Sequence, residues 1–139
     1  MKKISLLLMV ICLALVLLSC AKPHQFKFEE RQNEIEKIEI VFNPQYEPQE
    51  LIKTLNSEEK DLLLSELAKI EFKKGFGDQS SLLGYCIKIT FTNQEFKMIG
   101  QEGNNLNTYD TNRVNFIGWW FCDKTEWNAL ISRFVNVEI

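Results

Sequence analysis

The stretch from Tyr85 to Ile99 leaves this chain few ways to fold, because it alternates on both sides of one turn. A two-residue turn at Asn93-Gln94 pairs Phe91 with Phe96, Ile89 with Met98 and Ile87 with Gly100 on one face. The opposite face pairs Thr92 with Glu95 and Thr90 with Lys97. A slip of one residue sends every side chain to the other face, so agreement of both faces specifies an antiparallel hairpin. Gln94 is the awkward position, since glycine is the natural residue where φ must be positive.

The rest of the pattern builds around that hairpin. Glu36 to Phe42 alternates, with Ile38, Ile40 and Phe42 on one face, and predicts a half-buried strand. Asn43-Pro44 and Glu47-Pro48 punctuate a loop, because proline fixes φ and removes a ladder donor. Leu51, Ile52 and Leu55 are expected to cover the core as the chain turns into a helix. Ser57 is the expected N-cap of that helix, with Glu58, Glu59 and Asp61 at its positive end. Leu63, Leu64, Leu67 and Ala68 make its apolar stripe. Ile70-Glu71-Phe72 returns to period two, and Gly75 to Ser81 reads as a loop. Arg113 to Cys122 reads as one strand. Asp123 with Glu126 gives a capping pattern for a last helix, whose Trp127, Leu130, Ile131 and Phe134 face inward.

That order predicts an α+β two-layer sandwich, an antiparallel sheet of four to five strands with two helices. If the polar segment Gly100 to Asn112 holds a short strand, the order becomes β-α-β4-α. It then looks like the TATA-box-binding-protein-like fold, from which nothing about DNA follows.

The N-terminus carries a different message. Lys2 and Lys3 precede an apolar run from Ile4 to Leu18, shorter than the roughly 20 residues a membrane span needs. A basic start with a short apolar region reads as a removable export signal. Leu17-Leu18-Ser19-Cys20 resembles the lipobox of bacterial lipoprotein precursors: aliphatic, variable, small, then cysteine. The resemblance implies cleavage before Cys20, a diacylglyceryl thioether on its sulfur and a lipid anchor in the cell membrane or outer membrane, with the domain outside the cytoplasm. Ala21, where aspartate is absent, leans towards the outer membrane in a host that has two. Two other outcomes compete: cleavage after Ser19-Cys20-Ala21 to release a soluble protein, and retention of the run as an uncleaved anchor. On this reading residues 1–19 are the signal, residues 20–33 the lipidated cysteine and a flexible tether, and residues 34–139 a single domain.

Charge narrows the partners. Loss of Lys2 and Lys3 moves the net charge from −3 to −5. That mild acidity argues against nucleic acid, which asks for a clustered basic face. Membrane affinity then falls to the lipid on Cys20.

Chemistry is sparsely signalled. The single histidine, His24, lies in the expected tether, which leaves the domain no histidine base for a hydrolytic triad. No nucleophile elbow, phosphate loop or metal-spaced His/Cys set appears, so neither cofactor nor metal is expected. Glu71, Asp78, Glu95, Glu102 and Asp110 keep paired-carboxylate chemistry or a cation site open as an alternative. A non-catalytic binding domain is the primary reading, with an envelope protein as partner; an inhibitor or immunity-type protein that blocks an enzyme is its sharper version. Trp119 and Trp120 point opposite ways in a strand, and Trp119 is the candidate partner-binding aromatic. Asn105, Tyr109 and Asp110 in the Asn-rich stretch are further binding candidates, against a plain surface connection. Cys86 shares strand parity with Lys88 and Thr90, and Cys122 with Trp120 on the presumed core face. That conflict disfavours a disulfide between them, unless a bulge at Gly118 turns Cys122 over.

Overall fold

The computed structural model describes residues 24–25, 29–44, 46–74, 83–101, 103–107, 114–116 and 120–136. It has the expected α+β class. A six-stranded antiparallel sheet runs in the order β3 (Glu50–Thr54), β2 (Ile35–Asn43), β5 (Gly84–Phe91), β6 (Phe96–Gly100), β7 (Gly103–Asn107), β8 (Val114–Phe116). A second, three-stranded sheet joins β1 (His24–Gln25), β4 (Glu71–Lys74) and β9 (Trp120–Phe121). Helices α1 (Ser57–Leu67) and α2 (Lys124–Ser132) are the α-helices among the described residues.

The core forms where one sheet face meets the helices. Ile38, Ile40, Ile87, Ile89, Phe91 and Ile99 come from the strands, and Leu63, Leu64, Leu67, Trp127, Leu130, Ile131 and Phe134 from the helical segments. Fully burying such side chains contributes about 1.5–3 kcal/mol each. Phe72 ties the small sheet to this core, with its ring edge-on to Trp127 at 6.4 Å between centroids. Lys53 locks the edge strand to both helical ends, since its Nζ reaches Glu59 Oε1 at 2.7 Å and the Phe134 carbonyl at 3.0 Å.

Several sequence expectations are corrected. The hairpin register lies one residue away from the expected one, with Ile87 opposite Ile99, Lys88 opposite Met98 and Thr90 opposite Phe96. The cause is a three-residue loop, Thr92 to Gln94. Gln94 N donates to the Phe91 carbonyl (2.9 Å), Phe91 N donates to the Glu95 carbonyl (2.8 Å), and Gln94 takes φ +67°. A type I turn followed by a left-handed residue is the usual three-residue solution. Phe96 and Met98 therefore leave the core face, and Ile99 enters it.

The first helix is capped by Asn56 rather than Ser57. Asn56 Oδ1 accepts from Glu59 N (3.0 Å) and Asn56 N donates to Glu59 Oε2 (3.1 Å), a reciprocal capping box. Ala68 is exposed, because α1 ends before it. Leu55 is buried, but Leu51 and Ile52 are 59% and 41% exposed on a strand the sequence did not announce. That strand carries a register break against Ile40/Val41, and a bulge of this kind upsets the alternation that would reveal a strand. The Asn-rich stretch holds strand β7 instead of a plain connection. The single strand expected over 113–122 is divided, with β8 in the large sheet and β9 in the small one. With β3 inserted and the last strand divided, the β-α-β4-α order does not hold.

The expected tether is partly tied down. His24 pairs opposite Phe72 and Gln25 opposite Glu71, and Glu29–Glu34 form a 3-10 helix. The Glu34 carbonyl accepts from Thr92 N at 2.8 Å, fixing that helix to the hairpin turn.

A charged seam between the helices and the small sheet

The C-terminal end of α1 and the length of α2 leave a space between their exposed edges. The result is a cavity of about 230 Å³ lined by Glu66, Lys69, Ile70, Glu126, Ala129, Leu130 and Arg133. Next to it, the outer face of β4 opens a larger concavity of about 660 Å³, lined by Lys69, Glu71, Lys73, Phe121, Cys122, Asp123 and Glu126. Lys69 and Glu126 line both, so the two form one seam.

Glu66 organises the narrow half. Its Oε1 accepts from Lys69 Nζ at 2.7 Å, and its Oε2 lies 3.2 Å from Arg133 Nη1. One carboxylate thus joins the two helical segments. The Lys69 hydrogen bond, supported by the Lys69 and Arg133 charges and opposed by desolvation, holds the Glu66 carboxyl below its ordinary 4.5. Asp123 serves the second helix, its Oδ1 accepting from Thr125 N (2.7 Å) and Glu126 N (3.3 Å). Those bonds keep its carboxyl below 3.8, as expected of a carboxylate at the positive end of a helix.

Cys122 lines the wide half, half-buried and packed against the core, with its Sγ 3.7 Å from the Gln101 carbonyl. Burial first, then the Glu126 and Asp123 charges, push its thiol up to about 12. Cys86 is also a free thiol, fully buried beside Asn43 on the other face of the large sheet, and burial pushes it up to about 12. A thiol in that range is protonated at neutral pH and a poor nucleophile. The seam sets paired charges around an apolar floor of Ile70 and Leu130.

The candidates read from the sequence fall differently. Asn105 lies on β7, in register with Met98 on one side and Phe116 on the other. Cys20, Trp119, Tyr109 and Asp110 lie outside the described residues. Among the carboxylates, Glu71 lines the wide cavity, whereas Glu95 is taken by Arg31 at 3.3 Å on the large sheet. Asp78 and Glu102 lie outside the described residues. His24 sits in β1 rather than in a free linker. Sequence reasoning missed Glu66, Lys69, Lys73 and Arg133. The Glu66/Lys69 spacing of three is a helical pairing signal, but Arg133 reaches Glu66 only through the packing of the helices.

Among the described residues no three His, Cys, Asp or Glu side chains converge to hold a metal, and no helix is long and apolar enough to cross a membrane. No protein family, curated protein or solved structure matches the chain.

Proposed function

We propose that this chain is a lipid-anchored protein of a bacterial cell envelope, whose α+β domain binds a protein partner rather than transforming a substrate. The observation that carries the reading is Leu17-Leu18-Ser19-Cys20, standing behind Lys2-Lys3 and an apolar run from Ile4 to Leu18 that only Ser5 interrupts. A thioether-linked diacylglycerol supplies the two chains that stable anchoring needs, since one myristoyl-sized chain binds a bilayer with only about 10⁴ M⁻¹. The seam supports the recognition half of the reading. Its Glu66, Lys69, Glu126 and Arg133 present both signs of charge around Ile70 and Leu130, a surface suited to a polypeptide of complementary charge. Trp119, Tyr109, Asn105 and Asp110 remain the other candidate contacts.

Growth with labelled palmitate, comparing the unaltered chain with Cys20→Ser, tests the anchor. Label on the unaltered chain and none on the variant is the expected result; an unlabelled protein that washes free in buffer overturns it. Affinity capture from envelope extract with Lys69→Glu and Trp119→Ala tests recognition. Recovery of the same partners by both variants would remove these surfaces from the proposal.

A further inference from the structure

The few residues between Cys20 and the first strand set how the domain meets a membrane. Strand β1 starts at His24 and is hydrogen-bonded to β4. Four residues of fully extended chain reach about 14 Å, whereas a free tether running from Cys20 to Glu34 would reach about 48 Å. The small sheet therefore cannot rise far above whatever holds Cys20.

We propose that the β1–β4–β9 sheet is the membrane-facing surface of the domain, seated on the headgroups of the bilayer that holds the acyl chains. This rests on the lipid-anchor reading above. Glu71 and Lys73 are exposed on its outer side, and Phe121 pairs with Lys73 and lines the same concavity. A basic side chain beside an aromatic ring, with an acid next to it, suits the interfacial layer and the paired charges of zwitterionic headgroups. The inner side is fixed to the core through Phe72 and Trp127, so the orientation of this sheet is the orientation of the whole domain. The wide half of the seam, which Glu71, Lys73 and Phe121 line, then faces the headgroups, and the half around Glu66 and Arg133 is left for a protein partner.

The test uses the full chain, processed in cells and reconstituted into phosphatidylethanolamine/phosphatidylglycerol vesicles that carry a nitroxide on the headgroup. Tryptophan emission is the readout, because Trp120 belongs to β9 and Trp127 packs on Phe72. The nitroxide is expected to quench that emission. Inserting 20 Gly/Ser residues between Ala21 and Lys22, which adds about 70 Å of reach, is expected to abolish the quenching while the protein stays on the vesicles. Palmitate-labelled, vesicle-bound protein without quenching overturns the orientation and leaves the anchor standing. Unchanged quenching in the lengthened variant overturns the leash as its cause. Absence of palmitate label overturns the anchor, and this orientation with it.

Discussion

Arg31 sits over Phe91, with its guanidinium carbon 3.9 Å from the ring centroid, while its Nε holds Glu34 at 3.1 Å and its Nη2 holds Glu95 at 3.3 Å. The contact fastens the segment before the first long strand onto the hairpin it precedes. Arg31→Ala should destabilise the domain by about 1–2 kcal/mol, the sum of a cation–π contact and two partly exposed ion pairs. Chemical denaturation measures it. Hydrogen exchange should also show the Thr92 amide losing protection as the 3-10 helix lets go; unchanged protection would mean that Arg31 does not hold it.

The register of the hairpin makes a separate prediction about two adjacent residues. Ile99 is fully buried on the core face, whereas Met98 is half-buried beside Asn43 and Gln49 on the other. Ile99→Ala should cost about 2–5 kcal/mol and Met98→Ala about 1 kcal/mol. Equal losses, or the reverse order, would restore the register that alternation alone suggests.

Gln94 holds φ +67° without being glycine, and its side chain compensates in part by donating to Glu36 Oε2 at 3.0 Å. A left-handed non-glycine residue costs roughly 1–2 kcal/mol. Gln94→Gly should raise stability by about 0.5–1 kcal/mol after the lost side-chain bond and the greater freedom of the unfolded glycine are deducted. A fall in the denaturation midpoint would show that the Glu36 bond outweighs the backbone strain.

Thr90 is buried with its Oγ1 lacking a hydrogen-bond partner among the described residues. Burying an unsatisfied hydroxyl costs about 1–3 kcal/mol, so Thr90→Val, which keeps the shape and removes the polar atom, should stabilise by about 1 kcal/mol. A destabilised variant would indicate that the hydroxyl is satisfied in solution.

The thiols give a pH dependence with a definite sign. Both Cys86 and Cys122 have their values raised from 9.0 to about 12, burial being the main cause. A raised value means that the folded protein holds the proton more tightly than the unfolded chain. This contribution is complete below about pH 9 and lost as pH climbs towards 12. Stability should fall over that alkaline window, and Cys86→Ala should flatten the slope. Alkylation at pH 8 should be slow for both thiols when folded and fast in denaturant; rapid native alkylation of Cys86 would contradict its burial.

Much of the fold was legible because local rules and tertiary packing agree. Trp127, Leu130, Ile131 and Phe134 face inward as their spacing requires, and Asp123 caps the helix that carries them. The α+β class follows from where periods of two and 3.6 alternate along the chain. Other features give no local signal. Turn length sets hairpin register, and Thr92-Asn93-Gln94 lacks the glycine that would announce a three-residue loop. The bulge at Ile52 hides an edge strand by breaking its alternation.

The seam is the clearest case of what one dimension cannot show. Glu66 and Arg133 lie 67 positions apart and form one ion pair only because Leu67, Leu130 and Ile131 pack their helices into a common core. The sequence by itself determined which residues alternate, which helices have an inward face, and the Leu17-Leu18-Ser19-Cys20 run on which the lipid-anchor proposal rests. The tertiary structure decided which charges meet, which thiols are buried, and that His24 is pinned to Phe72's strand. The reason is physical. Periodicity is a property of neighbours along the backbone, whereas burial, ion pairing and strand register depend on surfaces that exist only after distant segments have closed on one another.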